Sequence, residues 1–548
     1  MCGVSHGLDL LFGTGDTDYA CWLLAVRVNI LVFVFCAAAI LVWRLSPARL
    51  RTTLAPRSAA WTALALTVIA GLLRFVVARV NLMDFGGIAY SRLLLGYKGC
   101  FGTAQFFSLF YGLTARDLEH AILFNRIAGT LTIPLVYVLC RRLESETRLL
   151  PATAAFLFAV YPLHILFSAS DALAVFSGFL AAASYVILAG ADGLDERHRI
   201  GAIHYLGGFA GLMLLTQIRY ENVLLLVPPA VVLIGRRDVL RLREVFPPLA
   251  VAAAFAMFYA YEAAMSGLSY QNPIHLWPGV QMVIQHLVLN PFLAIPLLLV
   301  GTLAVAVFKG PRLGMLALLP WVAALSLPVL TESGHGAARV YANWLVLLLP
   351  FSGYGFSLMM TAPQYVAKVA GGAALLALAA QPVLMRDRVV AQHVEIIEHD
   401  RFKELLRTAP PDVQSIIVPD DDLMRRAYHS TIEVYQKYAA IFAATPEAAG
   451  RMRLVGLTEY LEHPQQVGCA PRGCVFFFGL PCMEPDLSPF TSAQCQDLLR
   501  THRTSVLNEV TVIAAPFIDC SIYSGTLREQ RCDPATTPQR FTVYRIEE

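Results

Sequence analysis

Charge is what this sequence has least of. Only 15% of its 548 residues are Asp, Glu, Lys or Arg, and 57% are hydrophobic. A soluble domain carries about a quarter charged residues. The deficit is uneven: apolar runs of roughly 20 residues recur up to Met385 and then fade. A helix of that length spans the ~30 Å hydrocarbon layer of a bilayer. Other absences narrow the reading. No basic face interleaved with aromatics points to nucleic acid, and a net charge of +3 names no partner. The N-terminal "MCGVSHGLDLLFGTGDTDYACW" lacks a basic region before its apolar stretch, which argues against a cleaved signal peptide. No CxxC pair and no DxD in residues 81–120 call for a metal.

What is present is a polytopic pattern. About twelve candidate spans fall near 22–43, 61–80, 121–140, 149–168, 171–190, 202–218, 222–235, 245–264, 287–308, 313–331, 342–360 and 366–384. Connections after the odd-numbered spans carry Arg44, Arg49, Arg51 and Arg57, then Arg141, Arg142 and Arg148. Later ones carry Arg236, Arg237, Arg241 and Arg243, then Lys309 and Arg312. The positive-inside rule makes these cytoplasmic. The N-terminus, the loop 81–120 and everything after Met385 are then exoplasmic.

The predicted organisation is a transmembrane domain over 1–385 and a soluble exoplasmic α/β domain over 386–548. Six of the eleven cysteines lie in the latter: Cys469, Cys474, Cys482, Cys495, Cys520 and Cys532. An even number in a short segment reads as disulfides, although six cysteines allow fifteen pairings. Cys100 shares the same predicted side. The apolar spacing of Val390, Val394, Ile397, Phe402, Leu405 and Leu406 predicts a helix. "SIIV", "GCVFFFG", "VTVIAAPF" and "RFTVYRIEE" predict strands. Asp420, Asp421 and Asp422 read as a solvated loop with a helix cap.

Polar residues crowd the predicted exoplasmic ends: Asp84, Arg92, Lys98, Asp117, Glu119, Arg126, Asp171, Arg219, Glu221, Glu262, Glu332, His335 and Arg339. Transporters place ionisable groups or broken helices near the midplane instead. A site at one interface suits reaction between a lipid-borne and a water-borne substrate. Each residue also has a plainer reading. Glu119 favours a helix N-terminus, Arg92 and Lys98 snorkel to headgroups, and Tyr90, Tyr97 and Tyr111 fit an interfacial aromatic belt.

The order of short motifs resembles the GT-C superfamily of membrane glycosyltransferases, in the protein O-mannosyltransferase and aminoarabinose-transferase branch. "DFGGIAY" is similar to that family's first exoplasmic loop, with an acid just after an early span. "FFSLFYGLTARDLEHAILFNRIAGTLTIPLVYVLCRRL" resembles its loop helix, polar span entrance and basic exit. "AFLFAVYPLHILFSASDALAVF" resembles its proline-bearing pair of closely joined spans. "TQIRYENVLLLVPP" and "GAARVYANWLVLLLP" resemble later arginine-led spans. Many members pair two acids in the first loop, whereas Asp84 here is followed by Phe85.

The resemblance implies a polyprenyl-phosphate sugar as donor, an exoplasmic glycan, lipid or protein as acceptor, and membrane lipids as surroundings. It implies an integral membrane location, expected in a bacterial inner or plasma membrane. A divalent cation is left open by the resemblance, and no cofactor is otherwise expected. An acceptor hydroxyl needs a base within hydrogen-bond reach, and Asp84 is the candidate. The departing phosphate needs fixed cations, for which Arg339 and Arg219 lead and Arg126, Arg92 and Lys98 follow. His335, Asp117, Glu119, Asp171 and Tyr90 complete the candidate list.

Overall fold

The computed structural model describes residues 30–42, 57–80, 118–143, 149–190, 198–218, 220–229, 276–331, 341–384, 386, 394–419, 452–467, 469, 473–483, 489–512 and 538–547. Ten apolar helices lead among them: α1 (Ile30–Val42), α2 (Arg57–Val76), α3 (Leu118–Leu143), α4 (Leu149–Val160), α5 (Pro162–Ser168), α6 (Leu173–Ala189), α7 (His198–Ile218), α8 (Ile295–Lys309), α9 (Pro311–Thr331) and α10 (Leu345–Thr361). An eleventh, α11 (Tyr365–Leu384), closes the series. Within α2, α3 and α11, three stretches are long and apolar enough to cross a membrane, and the bent pair α4–α5 adds a fourth. Apolar side chains face outward on the helices: Leu72 of α2, Val307 of α8 and Val366 of α11 are 63%, 78% and 78% exposed. Such a surface belongs in lipid, where no water is available to penalise it. The described helices do not decide the expected count of about twelve, and the span expected at 245–264 lies outside the described residues.

Close helix approach is written in small residues. A side chain on Gly355 of α10 would overlap the Gly301 carbonyl of α8. Thr302 and Ser352 then hydrogen-bond across the same seam at 3.0 Å, and the Trp321 indole of α9 donates to Thr302 at 2.9 Å. Small residues at helix contacts, with hydroxyls bonding across them, are how helices associate where lipid removes the hydrophobic drive.

The sharpest local feature is the 58° bend between α4 and α5. Pro162 begins α5 and has no N–H, so the carbonyl of Phe158 loses its helical donor.

After α11 the sequence turns polar, and helix α12 (Val394–Thr408) leads into a five-stranded sheet. Its strands are β1 (Ser415–Val418), β2 (Arg453–Gly456), β3 (Cys474–Phe478), β4 (Arg503–Val512) and β5 (Gln539–Glu547), in the order β2-β1-β3-β5-β4. β1 runs parallel to β2 and β3, and β5 runs antiparallel to β3 and β4. The fully buried runs "SIIV" and "CVFF" occupy the centre, as strands covered on both faces do. Phe402 of α12 packs edge-on to Phe477 of β3 at 5.4 Å.

Two disulfides tie this part together. Cys469–Cys474 closes the approach to β3, and Cys482–Cys495 joins the turn after β3 to helix α13 (Pro489–Thr501). Cys100, Cys520, Cys532 and the Asp420–Asp422 run lie outside the described residues. The strand expected from "VTVIAAPF" begins earlier, at Arg503, and β2 had no counterpart in the sequence reading.

Candidate functional site

Three layers of polar side chains gather where α2 ends, α3 begins and α5 passes into α6. The chain between Val80 and Leu118 leaves from and returns to this place.

The innermost layer is Arg74, fully buried near the end of α2. Its Nη2 donates to the Phe158 carbonyl at 2.9 Å, supplying the donor that Pro162 lacks. Nη1 donates to the carbonyls of Ala70 at 2.9 Å and Ala159 at 3.4 Å. Nε donates to Ser168 Oγ at 3.3 Å, and Nη2 also reaches His164 Nδ1 at 2.6 Å. A guanidinium has donors only, so Nδ1 must accept and the imidazole proton sits on Nε2. That Nε2 is buried and finds no partner among the described residues. The positive charge is met by carbonyl dipoles of a broken helix. Gly129 of α3 makes room: any Cβ there would collide with Ser168 Oγ and crowd Arg74 Nε.

The middle layer fixes the turn between α5 and α6. Val80 pairs as a single parallel bridge with Ser170, its N–H donating to the Ala169 carbonyl at 3.0 Å. Asn125 of α3 donates to the carbonyls of Ser170 at 2.8 Å and Ala172 at 3.0 Å. Asp171, between those carbonyls, is buried. Arg126 donates to the Val77 carbonyl at 2.8 Å and lies over the Phe75 ring. It therefore satisfies an orphan carbonyl at the C-terminus of α2.

The outer layer is an ion-pair chain. Arg79 pairs through Nη1 with Glu119, in the first turn of α3, and through Nη2 with Asp400 of α12 at 2.8 Å. Asp400 Oδ1 accepts from His399 Nδ1 at 3.1 Å. Burial alone would raise the Asp400 carboxyl. The His399 hydrogen bond and the Arg79 guanidinium outweigh it and hold the group below its ordinary value.

A second cluster lies at the other end of α5. Tyr161, just before the break, donates to the Leu293 carbonyl at 2.6 Å and lies 3.1 Å from the Tyr341 hydroxyl. Tyr341 also packs against Trp321. Buried Asn343 finds no partner for either amide atom among the described residues.

Of the residues singled out in the sequence, Glu119, Arg126 and Asp171 fall in this assembly. Asp84, Tyr90, Arg92, Lys98, Asp117, Arg219, His335 and Arg339 lie outside the described residues, as do Tyr97, Tyr111, Glu262 and Glu332. Sequence reasoning passed over Arg74, Arg79, Asn125, His164 and Asp400. A signal existed for the first two: "LLRFVVARV" puts two arginines five residues apart at the end of an apolar run. None existed for the pairing of Arg79 with Asp400, 321 residues away.

No known family model and no curated protein matches the sequence. Solved structures do resemble the fold at a distance. ArnT from Cupriavidus metallidurans in the apo state aligns over 89% of this chain and 98% of its own, with 10% identity and a TM-score of 0.46. The Archaeoglobus fulgidus oligosaccharyltransferase in complex with Zn and sulfate aligns over 65% of this chain, with 14% identity and a TM-score of 0.39. The match spans about half of that longer chain, 53%. The arabinofuranosyltransferase AftD from Mycobacteria aligns over 89% of this chain and 40% of its own, with 13% identity and a TM-score of 0.42. Likeness of this degree assigns neither activity nor substrate.

Proposed function

We propose that this protein is a GT-C-like membrane glycosyltransferase that moves a sugar from a polyprenyl-phosphate donor to an exoplasmic acceptor hydroxyl. The acceptor oxygen attacks the anomeric carbon from the face opposite the phosphate, and its proton passes to Asp84. The bond between the anomeric carbon and the phosphate oxygen breaks, polyprenyl phosphate departs, and the anomeric centre inverts. Arg339 and Arg219 hold the developing phosphate charge, with Arg126, Arg92 and Lys98 around them. His335, Asp117, Glu119, Asp171 and Tyr90 are the further site candidates.

One observation carries this reading. Val80, four residues before Asp84, is bonded to Ala169, and Tyr341, two residues after Arg339, is bonded to Tyr161. Both anchors sit on the short segment α5 and its flanks. A seven-residue helix is roughly 10 Å long, so the chain enters both candidate regions from neighbouring points. That supports a base and a phosphate-binding arginine acting on one donor.

The test is incubation of purified protein with a panel of polyprenyl-phosphate sugars and plausible acceptors, following release of polyprenyl phosphate. Turnover by the wild type and its loss by at least 100-fold in a folded Asp84→Asn variant is expected, the scale of removing a general base. Full activity in that variant refutes Asp84 as the base. Glycan crossing the membrane without release of lipid phosphate would instead identify a flippase, and neither outcome would leave a non-catalytic envelope protein.

A further inference from the structure

Arg79 lies three residues beyond α2, in chain that is not helical, and its side chain is 31% exposed. It holds two carboxylates at once. One belongs to the first turn of α3, the other to α12, the first helix after the apolar series. Each Nη serves a different acid, an arrangement the planar guanidinium fork holds in fixed geometry. The other charged groups around it are His399, which donates to Asp400, and Arg126, close enough to feel the Arg79 charge. Apolar packing holds the opposite face of α12 on the sheet, through Phe402, Leu405 and Leu406. Asp400 thus faces away from the sheet core and towards the membrane helices.

We infer that Arg79 is a positioning residue, a two-armed clasp that seats α12 and the sheet behind it on the junction of α2 and α3. Its two arms have separate jobs. The Glu119 arm joins residues 79 and 119, which bracket the stretch carrying Asp84. The Asp400 arm fixes where the C-terminal portion sits on that junction. This inference does not depend on the glycosyl-transfer reading, since it concerns how two parts of the chain are joined.

The experiment is amide hydrogen exchange on the full-length protein in detergent, read separately over residues 394–408 and 118–122. Asp400→Asn should raise exchange across 394–408 by about two- to fivefold, the scale of one partly exposed ion pair, and leave 118–122 unchanged. Arg79→Gln should raise both. The double variant should exchange over 394–408 no faster than either single one, because both remove the same contact. Arg79→Lys keeps the charge but not the fixed fork, so it should give exchange between wild type and Arg79→Gln in both regions. Wild-type exchange over 394–408 in a monodisperse Asp400→Asn protein overturns the clasp. Wild-type exchange over 118–122 in Arg79→Gln overturns the two-armed form. Additive effects in the double variant show that Arg79 and Asp400 act apart, which also overturns it. Absence of glycosyl transfer changes none of these readings.

Discussion

Removing the Arg74 side chain strands acceptors rather than merely deleting a charge. The Phe158 carbonyl has no backbone donor because Pro162 follows four residues later, and the Ala159 carbonyl shares the same guanidinium. A buried acceptor left unpaired costs about 1–3 kcal/mol. Arg74→Met, which keeps the apolar length, should therefore destabilise the protein by about 2–4 kcal/mol. A lowered midpoint in detergent thermal unfolding would register it. An unchanged midpoint would mean that water or another group takes over these carbonyls. A lone arginine in an apolar run is legible in a sequence as an oddity. Its role is not, because the carbonyls it serves belong to residues 84 and 85 positions away.

Helix α12 shows what an element's own pattern reveals and what it hides. Its buried face was readable from the spacing of Phe402, Leu405 and Leu406, because burial against one sheet imposes a helical period. Its polar side was not, since a charge facing solvent and a charge facing a partner helix look alike. Asp400 gives this element a pH dependence. Its carboxyl is held below the unfolded value, so the associated stability is fully present above the ordinary carboxylate range. That contribution fades as pH falls through the depressed native value. Protection of 394–408, corrected for intrinsic exchange, should accordingly hold from neutral pH down to the ordinary carboxylate range in the wild type and fall below it, towards the depressed native value. In Asp400→Asn it should lack the component due to this group. Strand β4 illustrates the opposite case. Its residues Arg503–Val512 lie at the sheet edge and are mostly exposed, so no alternation marks its first half. Only the apolar end, "VTV", was visible.

At the scale of the molecule, the balance of arginines across connections set the expected sidedness. The residues flanking 81–117 and the helix after α11 meet at one face. Which compartment that face meets is a separate matter, and the positive-inside pattern predicts the exoplasm. Thr501, exposed at the end of α13, offers a reporter, because the unpaired cysteines among the described residues, Cys36 and Cys140, are buried. A Thr501→Cys protein in intact cells should react with a membrane-impermeant thiol reagent. Reaction only after lysis would reverse the topology. The apolar helices were legible because lipid demands length and hydrophobicity together. Their breaks and cross-bonds were less so, since these rest on single polar atoms that hydropathy averages away.

The plug at the α4–α5 break also bears on how the chain is made. Helix α2 is synthesised about eighty residues before the carbonyls that Arg74 satisfies. Until those arrive, the guanidinium near the end of α2 has the Ala70 carbonyl of its own helix, water and headgroups to turn to. The full set of acceptors for this arginine is therefore complete only after the segment up to Pro162, which leaves the Phe158 carbonyl unserved, has been made. The expected consequence is that a chain truncated before residue 158 leaves Arg74 without its Phe158 and Ala159 acceptors.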